Sequence, residues 1–458
     1  MLEPLYTSEE MRAAEERYPG YPETVPELME RAGKGVADVL LAEFADARRV
    51  TVVCGSGNNG GDGRVAARYL QEAGLDVRLV DLKPEDETKE LGEPDVVVDA
   101  LFGTGFRGEP RPGAARLIDA VNDRDIDVVA VDVPSGVDAS TGEVAGAAIE
   151  ATCTVSFSAD KVGGAVSPGS FHTGWTEVVD IGLEQVETAH ALVTSELLLE
   201  VPRRGDNRPE TKYTAGSVLV VGGSPGMTGA VCLAAEAAFR ADAGYVAVAA
   251  PAESLPVIEA RLLEAVKRPL EEVWDAVGRA SALALGPGLG RGDEQRALVR
   301  RLLAETDLPA VVDADALFGL DPFDRQAPTV LTPHSGELGR LIDRDADWVD
   351  AHRLEAARTA VDRFRCVVLL KGPETIVAAP EGQTLIIEGS PALATAGTGD
   401  VLTGIIGAFL AKGMEPRLAA AAGARVHADA ALAHEPDLSG LIASDVVAAL
   451  PRALDAPL

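Results

Sequence analysis

Val50-Thr51-Val52-Val53-Cys54-Gly55-Ser56-Gly57-Asn58-Asn59-Gly60-Gly61-Asp62-Gly63 decides the reading of the first half of the chain. The run Val50–Cys54 is apolar and rich in β-branched residues, with no polar alternation, so it predicts a strand buried on both faces of a parallel sheet. The glycines after it predict a tight turn, and a helix is expected near Arg64–Ala73. Strand, glycine turn and helix together open a βαβ unit. The pattern repeats outward, with further strands predicted at Val77–Val80, Val96–Ala100, Val128–Val131 and Thr154–Phe157 and an end near Gly182–Glu187. The expected fold is a Rossmann-like, three-layer α/β/α domain. Upstream, Thr7 with Glu10 and Thr24 with Glu27 fit capping boxes that start two helices.

A second α/β series begins after a polar, breaker-rich stretch, Pro202-Arg203-Arg204-Gly205-Asp206-Asn207-Arg208-Pro209. Strands are predicted at Val218–Val221, Val246–Ala249, Ala282–Leu285, Ala310–Asp313, Thr329–Leu331, Val367–Leu370 and Thr375–Ala378. Two apolar helices, about 400–412 and 416–434, and a short tail are expected to end it. The division that follows is a domain over 1–190, a linker over 191–214 and a domain over 215–458. No short-period repeat is visible, which argues against a solenoid.

Composition narrows the function. With 73 acidic against 41 basic residues the chain carries −32, a balance that repels phosphate backbones and anionic lipid, so neither nucleic acid nor membrane is expected as a partner. Apolar residues make up 47%, enough for packed cores, so the acidity does not signal disorder. Only eight of the basic residues are Lys, which favours adaptation to a salty cytoplasm over an ordinary acidic enzyme. Cys54, Cys153, Cys232 and Cys366 lie far apart without metal-ligand spacing, so buried inert thiols are expected. The N-terminus has no apolar signal region, and no apolar run reaches the ~20 residues of a membrane span, so a cytoplasmic location is expected. A homo-oligomer is compatible with all of this.

Gly55–Gly63 contains G-x-G-x-x-G with Asp81 about 20 residues on, the pattern of a dinucleotide site. Gly103-Thr104-Gly105-Phe106-Arg107-Gly108 repeats that pattern after another strand, so either match alone is weak and tight turns remain an alternative. Asp62 would also set a negative charge where a pyrophosphate should sit. More specific is the set of loops after three strands: Asn58–Asp62, Asp99–Gly105 and Asp132-Val133-Pro134-Ser135-Gly136-Val137-Asp138. Asn59, Asp99 and Ser135 offer oxygen donors alone, which suits a hard cation. Asp132 can remove and return a proton and Lys161 can stabilise an anion or assist the transfer, although an Asp at a strand end is as readily a helix cap.

These motifs, with F-x-x-x-K-x-G at Phe157–Gly163, resemble the NAD(P)H-hydrate epimerases over about residues 5–190. The resemblance implies that Asn58, Asn59, Gly60, Gly61, Asp62, Gly103, Thr104, Gly105, Phe106, Arg107, Gly108, Glu109 and Asp132 contact a hydrated nicotinamide nucleotide. It also implies potassium at Asn59, Asp99 and Ser135, with Asp132 as acid–base residue and Lys161 beside it in catalysis. The family reaction interconverts R and S epimers at the hydrated C6 of the ring.

In the second half no P-loop pattern occurs. Ala396-Gly397-Thr398-Gly399-Asp400 precedes an apolar helix, so free amides at its N-terminus can hold a phosphate while Asp400 accepts a proton from a substrate hydroxyl; capping by Asp400 is the alternative. Lys371-Gly372-Pro373-Glu374-Thr375 and Thr332-Pro333-His334-Ser335-Gly336-Glu337 each follow a strand, and Gly222-Gly223-Ser224 and Gly286-Pro287-Gly288-Leu289-Gly290 complete the set. Together they resemble the ribokinase-like, ADP/ATP-dependent NAD(P)H-hydrate dehydratases over about residues 200–450. That resemblance implies a hydrate pocket at Ala230, Gly288, His334 and Asp400. It places adenine nucleotide on Lys371, Gly372, Pro373, Glu374, Thr375, Gly397, Thr398 and Gly399, with Mg²⁺ expected and ADP as co-substrate. Thr211-Lys212-Tyr213-Thr214-Ala215-Gly216 departs from the family's usual His-Lys-Gly start. The expected protein is a bifunctional enzyme acting on NADHX and NADPHX. The alternative is a small-molecule kinase of the same fold fused to a nucleotide-binding module.

Overall fold

The computed structural model describes residues 2–83, 86, 89–204, 211–212, 215–434 and 439–455. Most of the predicted breaker stretch, residues 205–209, and Tyr213 and Thr214 lie outside the described residues. The chain forms two compact units. One comprises Pro4–Ala191 with Asp350–His352, the other Met1–Glu3, Leu192–Val349 and Arg353–Leu458.

In the first unit the strands run in the order Asp76–Asp81, Arg49–Cys54, Val96–Ala100, Asp127–Val131, Cys153–Phe157 and Trp175–Val179, all parallel. Alternate residues serve opposite cores. Val52, Cys54, Val98, Ala100 and Val131 pack into one cluster, while Val53, Val97 and Val128 pack into another. Both faces are covered by helices, as the uninterrupted apolar runs require. The order reverses at Arg49–Cys54, whose neighbours are the next two strands of the chain. Ligands bind beyond the strand ends at such a switch point.

The helix after Arg49–Cys54 starts earlier than expected, at Asn58, and runs to Glu72. Its glycines permit this. A Cβ on Gly60 would lie 2.0 Å from the Gly55 carbonyl, and one on Gly63 would lie 2.5 Å from the Ala100 Cβ, so the helix can begin hard against the sheet. The Thr7–Glu10 capping box forms. The Thr24–Glu27 box does not: the Thr24 side chain makes no capping bond, and Glu27 instead takes Arg31 at 2.6 Å and the Tyr18 hydroxyl at 3.1 Å.

In the second unit the strand order is Val266–Pro269, Tyr245–Ala250, Ser217–Val221, Ala282–Leu285, Ala310–Val312, Thr329–Leu331 and Val367–Leu370, all parallel, and then Glu374–Ala378 and Thr384–Glu388, antiparallel. Here the reversal is at Ser217–Val221. The helix Thr398–Ala411 is apolar all round and buried between other elements. A Cβ on Gly404 would meet the Ala234 carbonyl at 2.1 Å, so this helix lies directly on the helix Thr228–Arg240. The expected short tail is a third helix, Ala443–Asp455, whose apolar face (Val446, Val447, Leu450, Leu454) is buried. All four cysteines are free and buried. Among the described residues no helix is long and apolar enough to cross a membrane.

Candidate active sites

A cavity of about 990 Å³ opens at the strand ends of the first unit. Of the residues expected there, Asn58, Asn59, Asp62, Gly103, Thr104, Gly105, Phe106, Arg107, Glu109 and Asp132 line it. Gly60, Gly61 and Gly108 do not. Gly60 and Gly61 are turned to Gly55 and Met29 and serve close packing, and Gly108 holds a positive φ of 73°.

Asp132 leaves its strand with φ at 68°, a strained conformation for a residue with a Cβ. This turns the carboxylate back over the strand Cys153–Phe157, where Oδ1 accepts the Phe157 amide at 3.3 Å and meets the Lys161 ammonium at 2.7 Å. Lys161 is 1% exposed and is no part of the cavity wall. Its Nζ also donates to Ser156 Oγ (2.9 Å), the Ala159 carbonyl (2.9 Å) and the Phe157 carbonyl (3.2 Å). An ammonium so committed holds Asp132 in place.

Two more carboxyls face the same cavity. Burial, and then the charges of Asp132 and Glu15, push Asp62 well above the usual carboxylate range. Burial and Asp132 raise Glu15 too. Sequence reasoning missed Glu15. Its one signal is its place one turn after Met11 on the helix Ser8–Glu16, so both reach the cavity from the same face.

Behind the wall Asp99 accepts the Ser135 hydroxyl at 2.7 Å, the Ser135 amide at 2.8 Å and the Leu101 amide at 3.2 Å. Burial lifts it to about 6 against the pull of these donors. Asn59 Nδ2 donates to the Phe102 carbonyl at 2.9 Å, which leaves its oxygen free. Asn59 and Ser135 both bond the Phe102 main chain, so the three predicted oxygen donors gather around one loop. A buried carboxylate among oxygen donors fits a hard cation.

In the second unit Gly397, with φ at 94°, caps the helix Thr398–Ala411 and puts Asp400 in its first turn. Burial, and then Asp313, push Asp400 up to about 7, with Lys371 opposing. Lys371 Nζ lies 2.7 Å from Asp313 Oδ1, and Thr403 Oγ1 donates to Asp313 Oδ2 at 2.7 Å. A Cβ on Gly399 would sit 3.5 Å from the Lys371 ammonium, so lysine and glycine turn share one space. Burial works against the Lys371 charge, but Asp313 and Glu337 hold it above its ordinary value.

Lys371 and His334 are paired by a parallel bridge, and the Lys371 amide donates to the Pro333 carbonyl at 2.9 Å. His334 caps the helix Ser335–Ile342 through Nδ1 with Glu337 as reciprocal partner, and its ring is half-exposed. Gly288 and Ala230 face one another, a Gly288 Cβ falling 3.3 Å from that of Ala230. Glu374 is buried against Arg353, 2.5 Å away, and its carbonyl also accepts the Arg353 guanidinium at 2.9 Å. Asp313 and Thr403 were missed, although an Asp at the end of the strand Ala310–Val312 obeys the rule that found Asp99 and Asp132. Asp313 is bonded to Lys371 and Thr403, while Asp315 takes the Gly290 amide at 2.9 Å and Arg291 at 2.7 Å. With those carboxylates committed, the site fits a Mg²⁺ carried mainly by nucleotide phosphates.

Comparison with known proteins agrees with both halves. The family model described as NAD(P)H-hydrate dehydratase matches residues 218–452, and that described as YjeF-related protein N-terminus matches 25–93 and 81–163. The bifunctional NAD(P)H-hydrate repair enzyme Nnr of Moorella thermoacetica is 38% identical, covering 93% of this chain and 92% of its own. Its Escherichia coli namesake is 35% identical over 94% of this chain and 89% of its own. Among solved structures, the ADP/ATP-dependent NAD(P)H-hydrate dehydratase of Bacillus subtilis, co-crystallised with ATP and Mg²⁺, is 30% identical with a TM-score of 0.52, covering 57% of this chain and 96% of its own. Relatives this similar along nearly the whole length leave one conclusion: the chain belongs to the family of bifunctional NAD(P)H-hydrate repair enzymes.

Proposed function

We propose that the chain restores hydrated NADH and NADPH in two reactions: an epimerase over 1–190 equilibrates the R and S hydrates at C6, and a dehydratase over 215–458 returns the S hydrate to the reduced nucleotide. The observation that carries this is Asp400, a carboxyl raised to about 7 in the first turn of a helix whose preceding glycines leave room beside Lys371.

In the dehydratase, Asp400 accepts the proton of the C6 hydroxyl as its oxygen bonds to the terminal phosphorus of ADP, and AMP leaves. The amides of Gly397–Gly399 and the Lys371 ammonium offset the phosphate charge. The C6–O bond then breaks with phosphate as leaving group, and loss of the C5 proton restores the dihydropyridine. Ala230, Gly288 and His334 form the wall for the nicotinamide half, and residues 371–375 that for the adenine nucleotide. Mg²⁺, when bound, offsets phosphate charge. In the epimerase, Asp132 removes and returns a proton while Lys161 keeps its carboxylate in position. Asn59, Asp99 and Ser135 would hold potassium, whose charge would neutralise the buried Asp99. A cytoplasmic setting, where thiols stay reduced, fits the four free cysteines.

The test is incubation of mixed NADHX or NADPHX epimers with the protein, Mg²⁺, K⁺ and ADP or ATP, following the absorbance band of the reduced nicotinamide. Full conversion of both epimers is expected. Phosphorylation of a small alcohol without return of that band would favour the kinase alternative.

A further inference from the structure

Asp313 is 1% exposed and has been given no part in the chemistry above. It follows the strand Ala310–Val312, where an aspartate ordinarily caps the turn that comes next. Asp313 does not: it opens the short helical turn Ala314–Leu317 without a side-chain capping bond. Its carboxylate oxygens go instead to elements far along the chain. Oδ1 meets the Lys371 ammonium at 2.7 Å, and Oδ2 accepts the Thr403 hydroxyl at 2.7 Å. A carboxylate this deeply buried is costly unless it is paired, and these two partners pair it.

The three side chains meet beside the glycine turn. Lys371 follows the strand Val367–Leu370, and Thr403 lies on the helix Thr398–Ala411 with its hydroxyl 3.0 Å from the Gly399 carbonyl. A Cβ on Gly399 would lie 3.5 Å from the Lys371 ammonium and 3.8 Å from Asp313 Oδ2. The Lys371 side chain is 22% exposed against 2% for that of Asp313, so the lysine is anchored from the buried side and still reachable from outside. A lysine has a flexible stem and a charge without preferred direction, so the anion it meets sets its place. Asp313 holds it at contact distance, while Glu337 and Asp400 also draw on its charge.

We propose that Asp313 is a positioning residue of the dehydratase: it pins the Lys371 ammonium beside the Gly397–Gly399 turn, where it serves the transferred phosphoryl group and is kept from closing on Asp400. This rests on the reading of Gly397–Asp400 as the phosphate-holding turn. The charges around the pair make the role visible in a pH profile. Asp400 feels Asp313, Lys371 and Asp315. Lys371 feels Asp313, Glu337 and Asp400, with His334 3.5 Å from Glu337 and His427 kept neutral by burial down to about 4. With position 313 neutral, a like charge near Asp400 is gone and the freed ammonium can turn to Asp400. Both changes favour the ionised carboxyl, so it loses its proton at lower pH and becomes a weaker base.

Full-length protein carrying Asp313→Asn, Lys371→Gln or both is assayed for dehydration of the S hydrate with ADP and Mg²⁺ across pH, with melting temperature recorded and Asp400→Asn alongside. In Asp313→Asn the midpoint of kcat/KM, about 7 in wild type, is expected to fall by about one pH unit. KM for ADP should rise and the plateau kcat should drop about tenfold. An aspartate with a structural role alone would lower the melting temperature and leave the midpoint in place. The double variant buries a neutral pair and is expected to be no slower than Lys371→Gln, because Asp313 acts through Lys371; it decides the matter if Asp313→Asn does not fold. An unmoved midpoint in folded Asp313→Asn, or a double variant about tenfold slower than Lys371→Gln, overturns the inference. Should Asp400→Asn dehydrate normally, the reading of the turn fails first.

Discussion

Replacing Asp400 by Asn should destroy dehydration and stabilise the protein at once. In the fold the carboxyl is raised from 3.8 to about 7, burial being the main cause and Asp313 the next. Its charge is therefore a burden on the folded state, absent below 3.8, growing between 3.8 and 7, and complete above 7. The two values differ by roughly three pH units, equivalent to about 4 kcal/mol when the group is ionised. Solvent reaching the partly exposed carboxyl reduces this to about 2 kcal/mol. In a domain of this size that is a rise in melting temperature of about 4–8 °C. The assay is thermal unfolding of wild type and Asp400→Asn at about pH 8.5 and again at about pH 4, where the difference should vanish. Dehydration is followed in parallel. The wild-type kcat/KM should climb with pH through about 7 as the accepting carboxylate forms. A variant that melts no higher than wild type at the alkaline pH would refute the desolvation argument, and one that still turns over at a normal rate would refute the assigned role.

Three further outcomes follow from the same structure. Lys161→Met leaves Asp132 buried and unpaired, so epimerisation should collapse and the first unit lose about 3–5 kcal/mol, read by denaturant unfolding while dehydration of the S hydrate persists. With −32 on the chain and few lysines, melting temperature should climb steeply from low salt to molar KCl; equal values would remove salt adaptation from the account. Burial pushes the Cys54, Cys153 and Cys366 thiols up to about 12, so a thiol reagent at about pH 8 should label native protein slowly and all four cysteines only after unfolding.

The family relationship clarifies why two chemistries share a chain. The hydrate forms as two epimers and one dehydratase accepts one of them, so an epimerase in the same polypeptide keeps the other from accumulating. Neither site borrows its logic from the other. In the proposed reading, one moves protons with a carboxylate held by a buried lysine, and the other works at the glycine turn that opens the helix Thr398–Ala411.

The sequence by itself determined most of the strands and the class of fold and pointed to the loops proposed to carry chemistry, but it did not single out the strands Trp175–Val179, Val266–Pro269 and Thr384–Glu388. What it determined depends on local patterns: β-branched runs such as Val50–Cys54, and glycine turns at strand ends. It misjudged where contact between distant segments overrides local preference. Asn58–Gly63 reads as a turn, yet it is helix, because Gly60 and Gly63 let it press on Gly55 and Ala100. Thr24 and Glu27 have the letters of a capping box, but Arg31 and Tyr18 take the glutamate. Only the tertiary structure decided which polar groups line the cavity and which lie behind its wall. Lys161 went beneath Asp132, Glu374 into the core against Arg353, and Glu15 to a cavity wall its own neighbourhood does not announce. Periodicity tells which face of an element is buried, whereas burial beside a particular charge is a property of the packed chain.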